Sequence, residues 1–484
     1  MSQFSEVLSA YVRERDVNIY MLAKYCGYDR ANMYKVINGK RKISNIDLVK
    51  KIAEYMHLSA REEDKLLEEY RISVVGHGNY YRRKNVQEFF ENFSWREDSA
   101  AAFSSMKIAP DWNLPEEKTI TVKGTYEVEA AVFKMLAEET SCAKGHVRII
   151  LQPESDFLNR ILGLCGHTKN QIDVDHIVRL SNRPEDMDEK KLYNLECIRK
   201  VLPIYNYNYN YSTWYYYGNP HPEDIMFSAF PYLILTSAYA CLLSADMKSG
   251  CLTRNHNIIS LMTEFFDEHK NSCRRLISCQ RSLEEQMTDL ESVMVTKYSG
   301  YCFNMPPCFM YTLTQPLIEK YLSPMLPGRE ILIDKVTDYC KKLSSQKLTY
   351  ILSMEGVLQF LHTGFIPEFS RDLYRNVEWE DRILMIRKQL RPEKGSFVKV
   401  LKKPIGNLEN YISLVVTPEH GVLRFNVPAR NMFLNLILEE SGILNSFYDF
   451  CESLEDELFY TPEEVEEVLD QEIRRMEERS GHED

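Results

Sequence analysis

The side chains best suited to do chemistry stand near the start of the chain, where Arg30, Asn32 and Lys35 are followed by the run Lys40-Arg41-Lys42. Residues 1–58 carry ten basic and six acidic side chains, a surplus of four in a chain of net charge −12, which leaves −16 for the remainder. Cations concentrated in this way pair with phosphates, and an acidic remainder is repelled by them. A small basic module on an acidic body fits local contact with duplex DNA and excludes a protein coated in nucleic acid.

Candidate chemistry elsewhere is sparser. Tyr205, Tyr207, Tyr209 and Tyr211 alternate with asparagines, and Trp214 follows closely. Period-two aromatics line one face of a strand. Tyr207, Tyr209, Tyr211 and Trp214 are therefore candidate walls of a ligand pocket, with plain packing as the competing reading. Glu355-Gly356 with Phe360, His362, Thr363 and Gly364 reads either as a polar loop above a pocket or as a glycine-marked turn. His176 falls on an apolar strand pattern, where a satisfied core histidine is the commoner meaning. There is no glycine-rich phosphate loop, no His-Glu-x-x-His and no nucleophile elbow. No catalytic residue, metal site or cofactor is assigned from these patterns.

The twelve cysteines run from Cys26 to Cys451 without a Cys-x-x-Cys pair, which suits neither zinc nor a disulfide framework. Reduced thiols of a cytoplasmic protein are expected. The N-terminus has no basic-then-apolar leader pattern, since Glu6, Arg13 and Glu14 interrupt it. The longest apolar stretch, Phe227 to Ala245, is broken by Pro231, Thr236, Ser237 and Ser244, and reads as a buried strand pair rather than a membrane span.

The elements that must position the basic cluster are short helices. Phe4, Val7, Leu8, Tyr11 and Val12 recur at helical spacing. Asn18 caps a second helix holding Leu22 and Ala23, and Gly27 supplies the left-handed turn after it. Asp29 caps a third, whose inner face is Met33, Val36 and Ile37 and whose exit is Asn38-Gly39. Ser44-x-x-Asp47 reads as a capping box before Leu48, Val49, Ile52, Ala53 and Met56. A fifth helix spans about Ala60 to Ile72.

The run from Leu22 to Lys40, with Ala23, Gly27, Met33, Val36 and the Asn38-Gly39-Lys40 exit at matching spacing, resembles the Cro/repressor-type (Xre family) helix-turn-helix regulators. The resemblance covers roughly residues 4–70 and departs from the family pattern at Ile19 and Ile37. It implies that the helix from Asp29 to Ile37 enters the major groove of double-stranded DNA. The positions matching the family's base-reading ones are Arg30, Ala31, Asn32, Tyr34 and Lys35. Arginine suits guanine, asparagine suits adenine, and alanine meets a thymine methyl. Asn18, Asn38, Lys40, Arg41 and Lys42 are implied as phosphate contacts. Binding as a homodimer to a palindromic operator follows from the same likeness.

Gly76-His77-Gly78-Asn79 breaks the helical pattern, as a hinge or as the start of a new helix. Residues 85–106 read as one helix bearing Val86, Phe89, Phe90 and Phe93. From about residue 115 strands and helices alternate: Thr119–Val122, His146–Leu151, Ile172–Val178, Tyr232–Leu235 and Tyr239–Leu243 read as strands, with a turn at Lys248-Ser249-Gly250. Later, Phe397–Leu401, Tyr411–Val416 and Val422–Val427 read as strands, followed by a helix ending at Phe447-Tyr448-Asp449-Phe450. Both halves carry a strand hairpin and then a helix with paired aromatics, which reads as an internal duplication. The two-halved pattern resembles the phospholipase D-like fold in a non-catalytic form. His167-Thr168-Lys169 places Asp173 one residue early for that family's motif, and no second copy exists. Thr461-Pro462-Glu463-Glu464 starts a last amphipathic helix with Val465, Val468, Leu469, Ile473 and Met476 on one stripe.

The expected fold is thus multidomain: an all-α helix-turn-helix bundle (1–72), a linker and connecting helix (73–110), a large mixed α/β domain in two halves (111–290 and 291–458), and a C-terminal amphipathic helix (459–484). The expected function is a sequence-specific DNA-binding transcriptional regulator whose large domain senses a small-molecule or peptide effector, dimerises, or both. A DNA-targeted enzyme and a helical protein-interaction module of antitoxin or defence type are the competing readings. An enzyme would turn over a substrate even without Arg30 and Lys35.

Overall fold

The computed structural model describes residues 2–43, 45–95, 118–153, 156–165, 170–181, 192–218, 229–280, 299–344, 347–368, 371, 373–392, 396–408, 411–427, 432–438 and 441–480. The chain divides into two compact units, with the break between Asn85 and Val86 and Leu192 counted in the first.

The first unit contains α1 (Gln3–Glu14), α2 (Ile19–Tyr25), α3 (Arg30–Ile37), α4 (Ile46–Tyr55) and α5 (Ala60–Val75). Each start is fixed locally by a side chain that accepts from an otherwise orphaned N–H. Asn18 Oδ1 accepts from the Tyr20 and Met21 N–H groups, and Asp29 Oδ1 accepts from Asn32 N–H at 2.9 Å. The cap of α4 is Asn45, whose side chain accepts from Asp47 N–H at 2.7 Å; Ser44 of the expected capping box lies outside the described residues. A capping box does occur at α5, where Glu62 accepts from the Ser59 N–H at 2.8 Å and is held by both oxygens to Arg15. Gly27 and Gly39 take the positive φ values of 62° and 69° that end α2 and α3 without a Cβ clash.

Leu8, Leu22, Met33, Val49, Ile52 and Leu66 meet in one core with no exposed surface. Ile37 is buried there too, and Ile19 packs against the same cluster. Replacing Asp29 by alanine removes the α3 cap. A loss of about 1 kcal/mol in unfolding free energy is expected, read from denaturant midpoints of the full chain.

α6 (His77–Asn92) begins directly after Gly76, at φ 88°, so that glycine marks a helix start rather than a hinge. The helix ends at Asn92 rather than near residue 106, and residues 96–106 lie outside the described set.

The second unit contains two sheets. The first has the strand order β1-β7-β6-β5-β2-β3-β4-β8, built from β1 (Thr119–Lys123), β2 (Lys144–Ile150), β3 (Gln171–Leu180), β4 (Asn210–Tyr217), β5 (Tyr232–Leu235), β6 (Ala240–Leu243), β7 (Ser249–Thr253) and β8 (Arg274–Arg275). The second runs β12-β11-β10-β13-β14-β15-β9, from β9 (Ser278–Gln280), β10 (Gly300–Asn304), β11 (Leu348–Ser353), β12 (Phe397–Leu401), β13 (Ile412–Val416), β14 (Gly421–Val427) and β15 (Met432–Ile437).

The two sheets share one connectivity. β2, β3 and β4 are parallel, as are β10, β11 and β12. An antiparallel meander of three strands leaves the first of these in each case, and an earlier strand closes the far edge. A helix then follows the meander: α10 (His256–Ser272) in one half and α15 (Ser441–Glu452) in the other. The crossovers of the first half use α8 (Asp156–Cys165) and α9 (Tyr193–Val201), with α7 (Thr125–Ser141) between β1 and β2. Those of the second use α11 (Gln315–Tyr321), α12 (Arg329–Ser344), α13 (Met354–Thr363) and α14 (Trp379–Leu390). β15 was not expected, and the segment around Lys248 turns earlier, so that Ser249–Thr253 is a strand. The apolar stretch after Phe227 contributes β5 and β6, hydrogen-bonded to each other.

Phe89 and Phe90 of α6 pack on the second sheet and on α15, against Phe303, Phe425, Phe447 and Phe450. The last helix, α16 (Pro462–Ser480), docks Val465, Leu469 and Ile473 into a core shared with α13 and α14, and its stripe is thereby filled within the chain. Among the described residues no helix is long and apolar enough to cross a membrane. Cys26, Cys197, Cys241, Cys302, Cys308, Cys340 and Cys451 are buried free thiols.

Candidate functional site

α3 splits cleanly by face. Met33, Val36 and Ile37 are buried, whereas Arg30, Ala31, Tyr34 and Lys35 are exposed and Asn32 is half-buried. The Arg30 guanidinium lies 5.7 Å from the ring centroids of both Tyr20 and Tyr34, so a cation and two exposed aromatic faces form one patch. Asn18, Asn38, Lys40, Arg41 and Lys42 are also exposed. Lys40 and Arg41 donate their backbone N–H groups to the Lys35 carbonyl, which pins the basic run to the end of α3. Three cations at a helix C-terminus are favoured by its dipole.

Two details lay beyond sequence reasoning. Arg41 Nη1 donates to Asn32 Oδ1 at 2.6 Å, so bidentate reading of adenine by Asn32 requires that bond to open. The Asn18 carbonyl oxygen is committed to capping α2, which leaves its amide nitrogen for an outside acceptor.

In the second unit the four aromatic pocket residues do not converge. Tyr211 is buried and donates to His176 Nδ1 at 2.6 Å, while Tyr209 donates to the Leu162 carbonyl at 2.8 Å. Trp214 lies on the opposite face of β4, where its Nε1 donates to Asp175 at 3.0 Å and Lys270 sits over its ring. Tyr207 stands outside the strand, because Leu202–Asn206 coils into a 3₁₀ turn. The expected single-faced wall is therefore split between two faces and a loop.

His176 is fully buried, with Nε2 donating to the Leu151 carbonyl at 2.8 Å and Nδ1 accepting from Tyr211. Burial pulls its pKa down to about 4, so it stays neutral and structural. Burial of Asp175 opposes its charge, but hydrogen bonds from His146, Lys270 and Trp214 hold its carboxyl below the ordinary range. Asp173, the acidic end of the phospholipase-like string, lies near the amino end of β3 and accepts from Asn210 at 2.8 Å; residues 167–169 lie outside the described set.

A cavity opens at the carboxyl ends of β10, β11 and β12, where ligands of open α/β sheets collect. It holds about 1030 Å³ of empty space including its mouth. Pro306, Pro307, Phe309 and Phe360 give apolar walls, and Gln359, Thr363, Arg371, Asn376, Tyr411 and Asn426 add polar groups. Gly356 is required there, since a Cβ would sit 2.2 Å from the Met305 carbonyl oxygen.

Beneath it Glu368 is buried and accepts from the Phe309 N–H at 3.2 Å. Burial pushes its pKa up to about 7, against the lowering by Cys308, Phe309 N–H, Arg424 and Tyr411. Of the residues singled out near Gly356, Phe360 and Thr363 line the cavity, whereas His362 turns to Glu472 at 2.9 Å and Glu355 faces solvent. Arg371, Asn376, Tyr411 and Asn426 were missed; they come from separate loops and strands, and only the strand-end rule points to them.

No family model matches the chain, and no curated protein matches it. Among solved structures, phosphatidylserine synthase of Haemophilus influenzae Rd KW20 is 9% identical, covering 79% of this chain and 99% of that one at a TM-score of 0.22. TrmBL2, an archaeal chromatin protein described as showing a novel mode of DNA binding, is 9% identical, covering 56% and 99% at 0.21. Polyphosphate kinase of Porphyromonas gingivalis is 11% identical over 66% of this chain; the chain spans 47% of that enzyme, at 0.20. At such scores these likenesses carry neither fold nor activity over to this chain.

Proposed function

We propose that the chain is a sequence-specific, DNA-binding transcriptional regulator of the Xre helix-turn-helix type. Its second unit is a non-catalytic, phospholipase D-like body that holds an effector. The observation that carries this reading is the two-faced α3: its inner residues complete a closed core, while Arg30, Ala31, Tyr34 and Lys35 are left to solvent beside Lys40, Arg41 and Lys42. That division supports the reading, since a recognition helix needs base-reading side chains free on one side and phosphate-pairing ones at its exit. One such helix buries too little surface for tight specific binding, so the chain acts as a homodimer on a palindromic operator. The shared connectivity of the two sheets supports the duplicated body.

Selection from a pool of randomised duplexes by the full chain is the test. Enrichment of one palindrome with half-sites about one helical turn apart is expected. A pool that stays random after selection refutes the reading. With the selected duplex, Lys40→Ala is expected to weaken binding equally for matched and scrambled sequences. It should also reduce the slope of log affinity on log salt by about 1, measured by fluorescence anisotropy.

A further inference from the structure

The cavity at the carboxyl ends of β10–β12 has a lining whose polar groups are unevenly employed. Gln359, Asn376 and Asn426 line it without a side-chain hydrogen bond among the described residues. Arg371 is the one charged side chain in its wall, and no carboxylate pairs with it among the described residues. Its guanidinium leans on the Phe365 ring, 4.6 Å from the centroid, which holds it at the rim. Pro306, Pro307, Phe309 and Phe360 give the lining its apolar part. Its enclosed volume of about 380 Å³ falls at the lower end of the range of small-molecule sites, and a few polar groups over an apolar wall are their usual composition.

We propose that this cavity binds a small organic anion, a single negatively charged head on a flat apolar body. Arg371 meets the head and the body lies against the proline and phenylalanine side chains of the lining. A planar guanidinium with five fixed donors is matched to carboxylate and phosphate oxygens alike. With no carboxylate beside it among the described residues, this one cation favours one negative charge over none. Gln359, Asn376 and Asn426 then supply donors and acceptors around the rim. The inference names the effector class of the regulator proposed above, but the binding measurement needs no DNA. Its failure leaves DNA recognition standing.

The test uses the full chain with benzoate, phenyl phosphate and neutral benzamide as probes, followed by saturation-transfer NMR and titration calorimetry. At least one of the two anions is expected to bind, and at least about tenfold more tightly than benzamide. Preference for benzoate assigns a carboxylate head, and preference for phenyl phosphate assigns a phosphate. Arg371→Gln is expected to lower affinity for the preferred anion about tenfold without changing that for benzamide, and Arg371→Lys to recover part of the loss. The side chain is exposed, and circular dichroism checks that the variants fold. Absence of binding by both anions, equal binding of benzamide, or an Arg371→Gln variant that binds the anion like the wild type each overturns the proposal. The comparison of probes on the wild-type chain stands whether or not a variant folds.

Discussion

Replacing Arg30 and Lys35 together by alanine is expected to lower the affinity of the full chain for its selected duplex by about 100-fold or more, leaving helix content unchanged and lowering the melting temperature by no more than about a few degrees. A bidentate arginine–guanine pair contributes about 1–3 kcal/mol of discrimination, and a lysine at the groove adds a phosphate or base contact. In a dimer both half-sites lose these contacts. The fold is spared because neither side chain enters the core built on Met33 and Val36. Arg30 does lose its stacking on Tyr20 and Tyr34, but exposed cation–π contacts are worth only about 0.5–1 kcal/mol. Affinity for a scrambled duplex should fall much less than for the selected one, since in the proposed reading arginine-to-base contact distinguishes them. Anisotropy titrations with both duplexes read the two losses separately. An equal loss on both sequences would assign these residues to phosphates alone.

The second large effect concerns Glu368. A carboxyl whose pKa rises from its ordinary 4.5 to about 7 on folding binds more protons in the folded state than in the unfolded one. Stability from this group is therefore full below about 4.5 and is lost as pH rises through about 7. His176 works in the opposite sense: its folded pKa near 4 lies below the ordinary 6.5, so stability grows as pH rises across that interval. In the wild type the two slopes oppose each other between about pH 4.5 and 6.5, and a flat profile there would conceal both.

The Glu368→Gln variant separates them. It keeps an acceptor for the Phe309 N–H and cannot ionise. Its stability relative to wild type is expected to increase by about 3 kcal/mol between about pH 4 and about pH 8, measured by denaturant unfolding. Because His176 is common to both proteins, its contribution cancels in the difference. Parallel pH profiles for variant and wild type would show that folding does not raise the Glu368 pKa.

The helical unit was largely legible because its signals are local. Asn18, Gly27, Asp29 and Gly39 each act within a few residues of their place in the sequence, and the apolar spacing of Leu8, Leu22, Met33 and Ile52 follows from one helix face at a time. The cap of α4 moved by one residue, from Ser44 to Asn45, since both types cap equally well. The sheets were legible only in part. β10 and β11 are short strands buried on both faces, without the alternation that marks a half-exposed strand. β15 is interrupted by Asn435, a residue that argues for a turn; it is paired in register with Arg424, whose Nε donates to it at 3.1 Å. The tyrosine repeat misled for a similar reason, as period two was assumed across Leu202–Asn206, where the chain coils. The cavity was not legible as a site. Its walls come from the segments 306–309 and 356–367 and from residues 371, 376, 408, 411 and 426, which only the parallel order of β10, β11 and β12 brings together.

Photo-crosslinking to a selected duplex carrying 5-iodouracil in its half-sites tests most directly whether α3 meets base edges as proposed. The full chain is irradiated on the duplex and the crosslinked peptides are identified by mass spectrometry. Crosslinks from the major-groove iodine to the peptide holding Arg30 to Lys35, with Tyr34 as the principal acceptor, are the expected result. Crosslinks confined to other peptides, or a duplex that never becomes attached to the α3 peptide at saturating protein, would contradict it.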